Sequence, residues 1–94
     1  MSIADELKST YIMLCNTFSS EMTEEEYYII LYLLYEHMCD ENLSKVMAEF
    51  THQSIWKIQN DIYKVCNMKF EDGSVREMEE RLNQHGFGKW KEEM

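Results

Sequence analysis

The stretch 23–38, which reads TEEEYYIILYLLYEHM, constrains the fold more than any other part of the chain. Thr23 followed by Glu26 matches a capping box, in which two side chains satisfy free backbone N–H groups at the start of a helix. The residues after Glu26 are almost all apolar or aromatic, and they cover every side of a helical wheel. A helix that is apolar all round is a buried one, so this segment predicts the central helix of a helical core.

Four other segments have the apolar spacing of amphipathic helices. These segments are 3–18, 43–50, 55–66 and a last one that begins at Ser74. Glu77 would complete a capping box with Ser74, and Gly86 matches the glycine that often ends a helix. The residues after Gly86 are expected to form a tail that Trp90 anchors loosely. The sequence therefore predicts an all-α bundle of four to five helices, forming a single domain over residues 1–94.

Residue usage supports a helical protein of a reducing compartment. The chain has no proline and three glycines, which favours helices over strands. Its three cysteines, Cys15, Cys39 and Cys66, lie far apart in apolar or helical runs, so we expect buried thiols rather than disulfides. The first twenty residues lack the basic start and apolar run of a signal peptide. The sequence therefore predicts a cytoplasmic location.

The net charge of −9 is distributed unevenly. Residues 1–42 hold nine acids and one lysine, and residues 71–94 hold seven acids and four bases. Between them, residues 43–70 hold two acids and four lysines, so this is the only stretch with a positive balance. A strongly acidic protein repels nucleic acids and anionic membranes and attracts basic proteins. We therefore expect a basic protein as the partner, with no nucleic acid and no membrane.

No pattern in the sequence supports metal binding or catalysis. His37 and Cys39 are two positions apart and the other histidines and cysteines are scattered, so neither a Cys-x-x-Cys nor a His-Glu-x-x-His motif is present. No nucleophile with its base and no glycine-rich phosphate loop can be recognised. The sequence therefore predicts a protein that is not an enzyme and that holds no cofactor and no metal.

Residues 43–66 have the order of a helix-turn-helix motif, with an apolar helix, a polar break and a second helix. Lys45, Lys57 and Lys64 make this the basic part of the chain. However, the second helix contains no arginine and the whole chain is acidic, whereas DNA-binding domains are usually basic. DNA binding through this segment remains an alternative to protein binding.

In size, acidity and helical content, over its full length, the chain resembles the small immunity proteins of bacterial toxin–immunity systems, of the colicin and contact-dependent growth inhibition types. The resemblance implies a non-catalytic antitoxin that neutralises a cationic nuclease toxin by covering its active site. The Asp-x-x-Tyr-Tyr-Pro motif of the colicin DNase immunity proteins is absent, since the chain has no proline, and no residue of that family is carried over. An acidic dimeric chaperone or adaptor for another protein is the other alternative, so both a monomer and a homodimer remain open for the free protein.

The charge pattern predicts a partner-binding face along the central helix. Three tyrosines at positions i, i+4 and i+7 form one stripe of this helix, and acids gather at both of its ends. Tyrosines beside carboxylates are the composition expected of an anchor on a basic target. The favoured interpretation nevertheless packs the stripe into the core, with each hydroxyl at its edge, and the other leaves it exposed. The predicted partner-binding residues are Glu21, Glu24, Glu25, Tyr28, Tyr32, Tyr35, Glu36, Asp40 and Glu41.

Overall fold

The computed structural model describes residues 5–18 and 22–93, and this part of the chain forms six α-helices and no strand. The helices are α1 (Asp5–Thr17), α2 (Glu24–Leu34), α3 (Asp40–Thr51), α4 (Ile55–Val65), α5 (Asp72–Asn83) and α6 (Phe87–Glu93). The predicted all-α fold is confirmed. The predicted number of four to five helices is too low, because the expected tail forms the helix α6. Within the described residues, no helix combines the length and apolar character that a membrane span requires.

The start of α2 is the capping box that the sequence predicts. The Thr23 hydroxyl accepts a hydrogen bond from the backbone N–H of Glu26 at 3.1 Å, and the Glu26 carboxylate accepts one from the backbone N–H of Thr23 at 2.8 Å. The helix ends at Leu34, four positions before the predicted end, and a turn follows in which the N–H of His37 donates to the Leu34 carbonyl. The apolar pattern continues past the helix because Met38 is buried in the connection to α3.

The core forms around α2, as the sequence predicts. This helix packs against α4 and α5, while α3 packs against α1 and α4, and α1 also contacts α5 and α6. The buried residues of α2 cover most of the circumference of this helix, and they are Tyr27, Ile29, Ile30, Leu31, Leu33 and Leu34. The packing of α4 and α5 against this helix therefore buries much of the apolar surface that the sequence predicted all round it.

The predicted start of α5 is wrong. The helix begins at Asp72, and its N-cap is Glu71, which makes no side-chain capping hydrogen bond. Ser74, the predicted cap, lies inside the first turn of the helix. Its Ser-x-x-Glu spacing to Glu77 matches a capping box, but Ser74 does not cap the helix. Local spacing was therefore insufficient to locate this helix start, since the helix extends two residues further towards the N-terminus.

The C-terminal helix is fixed to α1 rather than loosely anchored. Gly86 has a φ of +96°, the left-handed conformation expected of a glycine that follows a helix, and α6 begins directly after it. The Trp90 side chain is 4% exposed, and its indole N–H donates to the hydroxyl of the buried Thr10 at 2.7 Å. The Trp90 ring also stacks on Phe87, with 5.6 Å between the ring centroids. The expectation of a loose tail is thus wrong, because the indole has both an apolar site and a buried hydrogen-bond partner.

The expectation of buried thiols is also wrong. Cys15, Cys39 and Cys66 are all exposed and unpaired. Cys15 lies on the outer side of α1, while Cys39 and Cys66 flank the ends of α3 and α4. The apolar runs around them bury other side chains, so membership of an apolar run did not identify which residue faces inward.

Candidate partner-binding site

The predicted acidic residues lie at the two ends of α2, and all those that the structure describes are exposed. Glu24 and Glu25 belong to its first turn, where the positive end of the helix dipole favours negative charge. Glu36 lies in the connection after α2, and Asp40 and Glu41 form the first turn of α3. Helix α2, which begins with the first group and is followed by the second, is roughly 16 Å long, at about 1.5 Å per residue over its eleven residues. Glu21 lies outside the described residues.

Most of these carboxylates have no cation beside them. Glu41 forms an ion pair with Lys45, one turn along α3, at 3.3 Å. Among the residues that the structure describes, no ion pair involves Glu24, Glu25, Glu36 or Asp40. Their charges are therefore not neutralised within this part of the fold and remain available to a cationic partner.

Glu26, between the two groups in sequence, has a structural role instead. Its carboxylate accepts a hydrogen bond from Arg81 of α5 at 2.8 Å as well as the capping bond from Thr23. The backbone hydrogen bond from Thr23, followed by the bond from Arg81, lowers the pKa of Glu26. This side chain therefore joins α2 to α5, and only its capping role could be predicted from the sequence.

The tyrosine stripe is half-buried. Tyr28, Tyr32 and Tyr35 pack against the core without being enclosed by it. The Tyr32 ring lies 5.2 Å from the ring of Phe70, in the connection to α5, and 6.2 Å from that of Tyr35. Burial raises the pKa of Tyr35, and Cys66 near the end of α4 raises it further. Each ring thus combines a packed side with a surface-accessible side, so neither sequence interpretation describes the stripe completely.

A cleft of about 850 Å³ brings two of the predicted residues together. It lies where the start of α2 meets the α3–α4 turn, and Glu24 and Tyr28 are both part of its wall. The remaining wall combines three aromatic rings and a methionine with five polar side chains, and it comprises Phe18, Met22, Thr23, Tyr27, Phe50, Thr51, His52, Gln53 and Lys57. The volume is in the range of sites that bind small molecules or large side chains. The structure does not gather the other predicted residues at this cleft.

The α3–α4 turn supplies part of the wall of this cleft. His52 has a φ of +59°, a left-handed conformation that reverses the chain between the two helices. The next residue, Gln53, has a buried side-chain oxygen, Oε1, that receives no hydrogen bond from the described residues. The sequence contained no signal for this feature.

Beside the cleft, Asp61 of α4 forms a buried polar network with α2. Its Oδ2 atom accepts hydrogen bonds from the Tyr27 hydroxyl and from the Lys57 ammonium, each at 2.7 Å. Lys64 lies 3.8 Å from Oδ1, and the Lys57 ammonium lies 5.1 Å from the centre of the Tyr27 ring. Burial acts to raise the pKa of Asp61, but the hydrogen bonds from Lys57 and Tyr27 and the lysine charges outweigh it and hold the pKa below its usual value. The lysine spacings are visible in the sequence, whereas the bond to Tyr27 is not.

The outward side of α4 exposes large apolar side chains. The exposed fractions are 79% for Trp56, 64% for Tyr63 and 42% for Ile55. We call Trp56 and Tyr63, with Ile55 beside them, the α4 aromatic face. The apolar spacing of residues 55–66 did not predict that Trp56 and Tyr63 are exposed. A helical wheel on which Ile58 and Ile62 face the core, where both are fully buried, places Trp56 and Tyr63 on the outward side.

No protein-family model, curated protein or solved structure matches this chain. Among the residues that the structure describes, no three histidine, cysteine or acidic side chains are grouped closely enough to hold a metal ion. The function is therefore argued from the surface: exposed carboxylates, half-buried tyrosines and the cleft.

Proposed function

We propose that this protein is a non-catalytic protein-binding module that binds a basic protein, and that it acts as an immunity protein covering the active site of a cationic nuclease toxin. The observation that carries the proposal is the set of exposed carboxylates at the two ends of α2, with half-buried tyrosines between them. Within the described residues, four of the five exposed acids in this set have no ion pair.

Electrostatics supports a basic target. A nuclease active site is positive because it must hold phosphate groups, so an acidic surface is steered towards it and accelerates association. Carboxylates alone give little affinity, because exposed charges are well solvated. The tyrosines between them supply aromatic area, which typically carries much of the binding energy of an interface.

The cleft supplies a site for an anchoring side chain of the partner. A lysine or arginine can place its apolar stem against the ring of Tyr28 and its charge near Glu24. Both Glu24 and Tyr28 belong to the partner-binding set predicted from the sequence.

Two alternatives predict different behaviour. An acidic dimeric chaperone or adaptor would hold its partner without blocking an active site, so the activity of the bound protein would persist. DNA binding through α3 and α4 is supported by their arrangement as two helices joined by a three-residue turn. Against it, Lys57 and Lys64 already pair with Asp61, which reduces the positive charge available to phosphates.

Co-expression with the protein encoded by the adjoining gene tests the proposal. The complex is isolated, and nuclease activity of that protein on plasmid DNA is measured as the acidic protein is added. We expect stoichiometric inhibition. Retention of full activity in a stable complex favours the chaperone, whereas the absence of binding contradicts the immunity function.

A matched pair of variants localises the interface. The first replaces Glu24, Glu25 and Glu36 by glutamine and Asp40 by asparagine. The second removes the same charge elsewhere, at four exposed glutamates of the C-terminal half, which are Glu71, Glu77, Glu80 and Glu92. We expect the first variant to weaken binding by roughly tenfold or more and the second to weaken it much less. Equal losses would indicate a general effect of net charge and contradict the assignment to α2.

A further inference from the structure

Two aromatic rings in the wall of the cleft each have a cation of the same chain over them. The Cζ atom of the Arg81 guanidinium lies 4.9 Å from the centre of the Phe18 ring, and the Lys57 ammonium lies 5.1 Å from the centre of the Tyr27 ring. A cation within about 6 Å of a ring centre is attracted by the negative face of the ring. The aromatic wall of this cleft is therefore suited to hold positive groups.

One carboxylate accompanies each of these cations. Arg81 donates to the Glu26 carboxylate at 2.8 Å, and Lys57 donates to the Asp61 carboxylate at 2.7 Å. The ring attracts the cation through its face, and the carboxylate supplies the full opposite charge and a charge-assisted hydrogen bond. An aromatic ring together with a carboxylate is thus the arrangement by which this part of the fold holds a cation.

Tyr28 and Glu24 form a third arrangement of the same composition. They are four positions apart on α2, which places them side by side on its surface, and both line the cleft. Glu24 is exposed and Tyr28 is half-buried, so both can be reached from solvent. Within residues 5–18 and 22–93, no ion pair involves Glu24 and no cation lies over the Tyr28 ring. This pair is therefore accessible to a cation from another molecule.

The exposure of the carboxylate favours arginine over lysine as that cation. Lys57 is held by Asp61, whose side chain is 4% exposed, whereas Arg81 is held by Glu26, whose side chain is 26% exposed. An ammonium is compact and strongly hydrated, so it gains little from a carboxylate that stays in water. A guanidinium is more weakly hydrated, stacks on a ring and pairs with a carboxylate through two N–H groups. The exposed Glu24 beside a ring therefore suits a guanidinium.

We propose that the cleft binds the side chain of one arginine of the basic partner, with the guanidinium stacked on the Tyr28 ring and paired with the Glu24 carboxylate. The inference rests on the proposed function, because it names the group of that basic protein that enters the cleft. Lys57 does not oppose a second cation, because its ammonium lies 2.7 Å from the Asp61 carboxylate, which neutralises its charge.

Titration of small probes into the isotope-labelled full chain tests the proposal by NMR. The probes are N-acetyl-arginine amide, N-acetyl-lysine amide and N-acetyl-citrulline amide, and the last keeps the shape of arginine without its charge. All are added at constant ionic strength. We expect the arginine probe to shift the backbone amide signals of Glu24 and Tyr28 with a Kd in the millimolar range. The lysine probe should bind about threefold more weakly or worse, and the citrulline probe should cause no shift at these residues.

Matched variants locate the site. Glu24→Gln should raise the Kd of the arginine probe by about threefold or more, whereas Glu80→Gln, the same change at an exposed position of α5 outside the cleft wall, should leave it unchanged. Tyr28→Leu keeps apolar bulk but removes the ring, so it should reduce the preference for the arginine probe over the lysine probe. Circular dichroism verifies that each variant is folded, and the exposed Glu24 can be replaced with little effect on folding.

Three results would overturn the arginine site. They are the absence of shifts at the cleft with the arginine probe, equal binding of the arginine and lysine probes, and an unchanged Kd in Glu24→Gln. The proposed function fails by a different result, which is the absence of binding to the product of the adjoining gene while the arginine probe still binds in the cleft. If that protein is bound and inhibited while the arginine probe causes no shift, the immunity function stands and the arginine site is wrong.

Discussion

The hydroxyl of Tyr27 donates a 2.7 Å hydrogen bond to the carboxylate of Asp61, which lies thirty-four positions further along the chain. This bond joins α2, at the centre of the fold, to α4, whose opposite side exposes Trp56 and Tyr63. The same carboxylate holds Lys57. One buried acid therefore sets the charge of the surface between the cleft and the α4 aromatic face.

Removing either partner of this bond should destabilise the protein to different extents. Tyr27→Phe leaves Lys57 on Asp61, so we expect the free energy of unfolding to fall by about 1 kcal/mol. Asp61→Asn removes the buried charge to which Tyr27 and Lys57 both donate, so we expect a loss of about 1–3 kcal/mol. Urea-induced unfolding followed by circular dichroism measures both changes.

An exposed ion pair provides the control for this comparison. Glu41→Gln removes the charge that pairs with Lys45 on the surface of α3, and we expect it to cost less than about 1 kcal/mol. If Glu41→Gln lowered the free energy of unfolding as much as Asp61→Asn does, the buried network would have no special role in stability.

Stability should decline in acid because folding lowers the pKa values of Glu26 and Asp61. A carboxyl group of this kind stabilises the fold above its unfolded pKa, and the contribution is lost as the pH falls through its folded pKa. We therefore expect the free energy of unfolding to fall as the pH drops below the ordinary values of 4.5 for Glu26 and 3.8 for Asp61. Urea unfolding at a series of pH values measures this decline.

The double variant Glu26→Gln, Asp61→Asn provides the comparison for the acid prediction. The double variant should be less stable than the parent protein at neutral pH. Between pH values just above and well below 4 its free energy of unfolding should fall by less than that of the parent, because it lacks two of the carboxyl groups that take up protons on unfolding. A decline as steep as that of the parent protein would assign the acid sensitivity to other carboxylates.

Leu34 and Thr23 test the position of the central helix. Leu34 is completely buried, so Leu34→Ala should lower the free energy of unfolding by about 2–5 kcal/mol. Thr23→Ala removes one capping bond and should cost about 1 kcal/mol. Chemical unfolding compares the two variants, and a reversal of their order would mean that α2 does not occupy the centre of the core.

Tyr32→Ala tests the dual character of the tyrosine stripe. Full truncation of a buried aromatic side chain costs about 3–5 kcal/mol, and Tyr32 is only half-buried against Phe70, so we expect a loss of about 2 kcal/mol in stability. Binding of the basic partner, measured by calorimetry with folded protein, should also weaken by about 2 kcal/mol. A large stability loss with unchanged binding would remove the stripe from the interface and leave the carboxylates alone.

Association with a basic partner should depend on salt through its rate. The exposed acids at the ends of α2 act at long range, but their field is screened over about 8 Å at physiological ionic strength. Stopped-flow measurements with the product of the adjoining gene should therefore show a faster association at low salt than at high salt. An association rate constant that is independent of salt would contradict steering by these carboxylates.

The helices were largely predictable because their signals are local. The capping box at Thr23 and the apolar spacing of 55–66 fixed the start of α2 and nearly all of α4. Ser74 shows the limit of such signals, since Ser-x-x-Glu spacing also occurs inside a first turn. A helical wheel identifies the inward side of a helix only when some of its buried residues are already known. The sequence does not say which residues of 55–66 are buried, so the prediction that Cys66 is buried was wrong.

The candidate site was less predictable because it depends on distant parts of the chain. No local pattern predicts that Tyr27 lies beside Asp61 or that Arg81 lies beside Glu26, because these pairs are joined only when α2 meets α4 and α5. Nor does any pattern in the sequence indicate that Gln53 lines a cleft. The sequence predicted the acidic residues of the partner-binding site as one set. In the structure they form two groups at opposite ends of α2.

The bond between Trp90 and Thr10 has a consequence for the order of events during synthesis. Thr10 belongs to α1, which is synthesised before the other described helices, and its buried hydroxyl accepts a hydrogen bond from the indole N–H of a residue eighty positions later. His37, whose ring centroid lies 5.9 Å from that of Trp90, is likewise synthesised long before its neighbour. These contacts can form only after α6 has emerged from the exit tunnel, so this part of the bundle closes after the other described helices have been made.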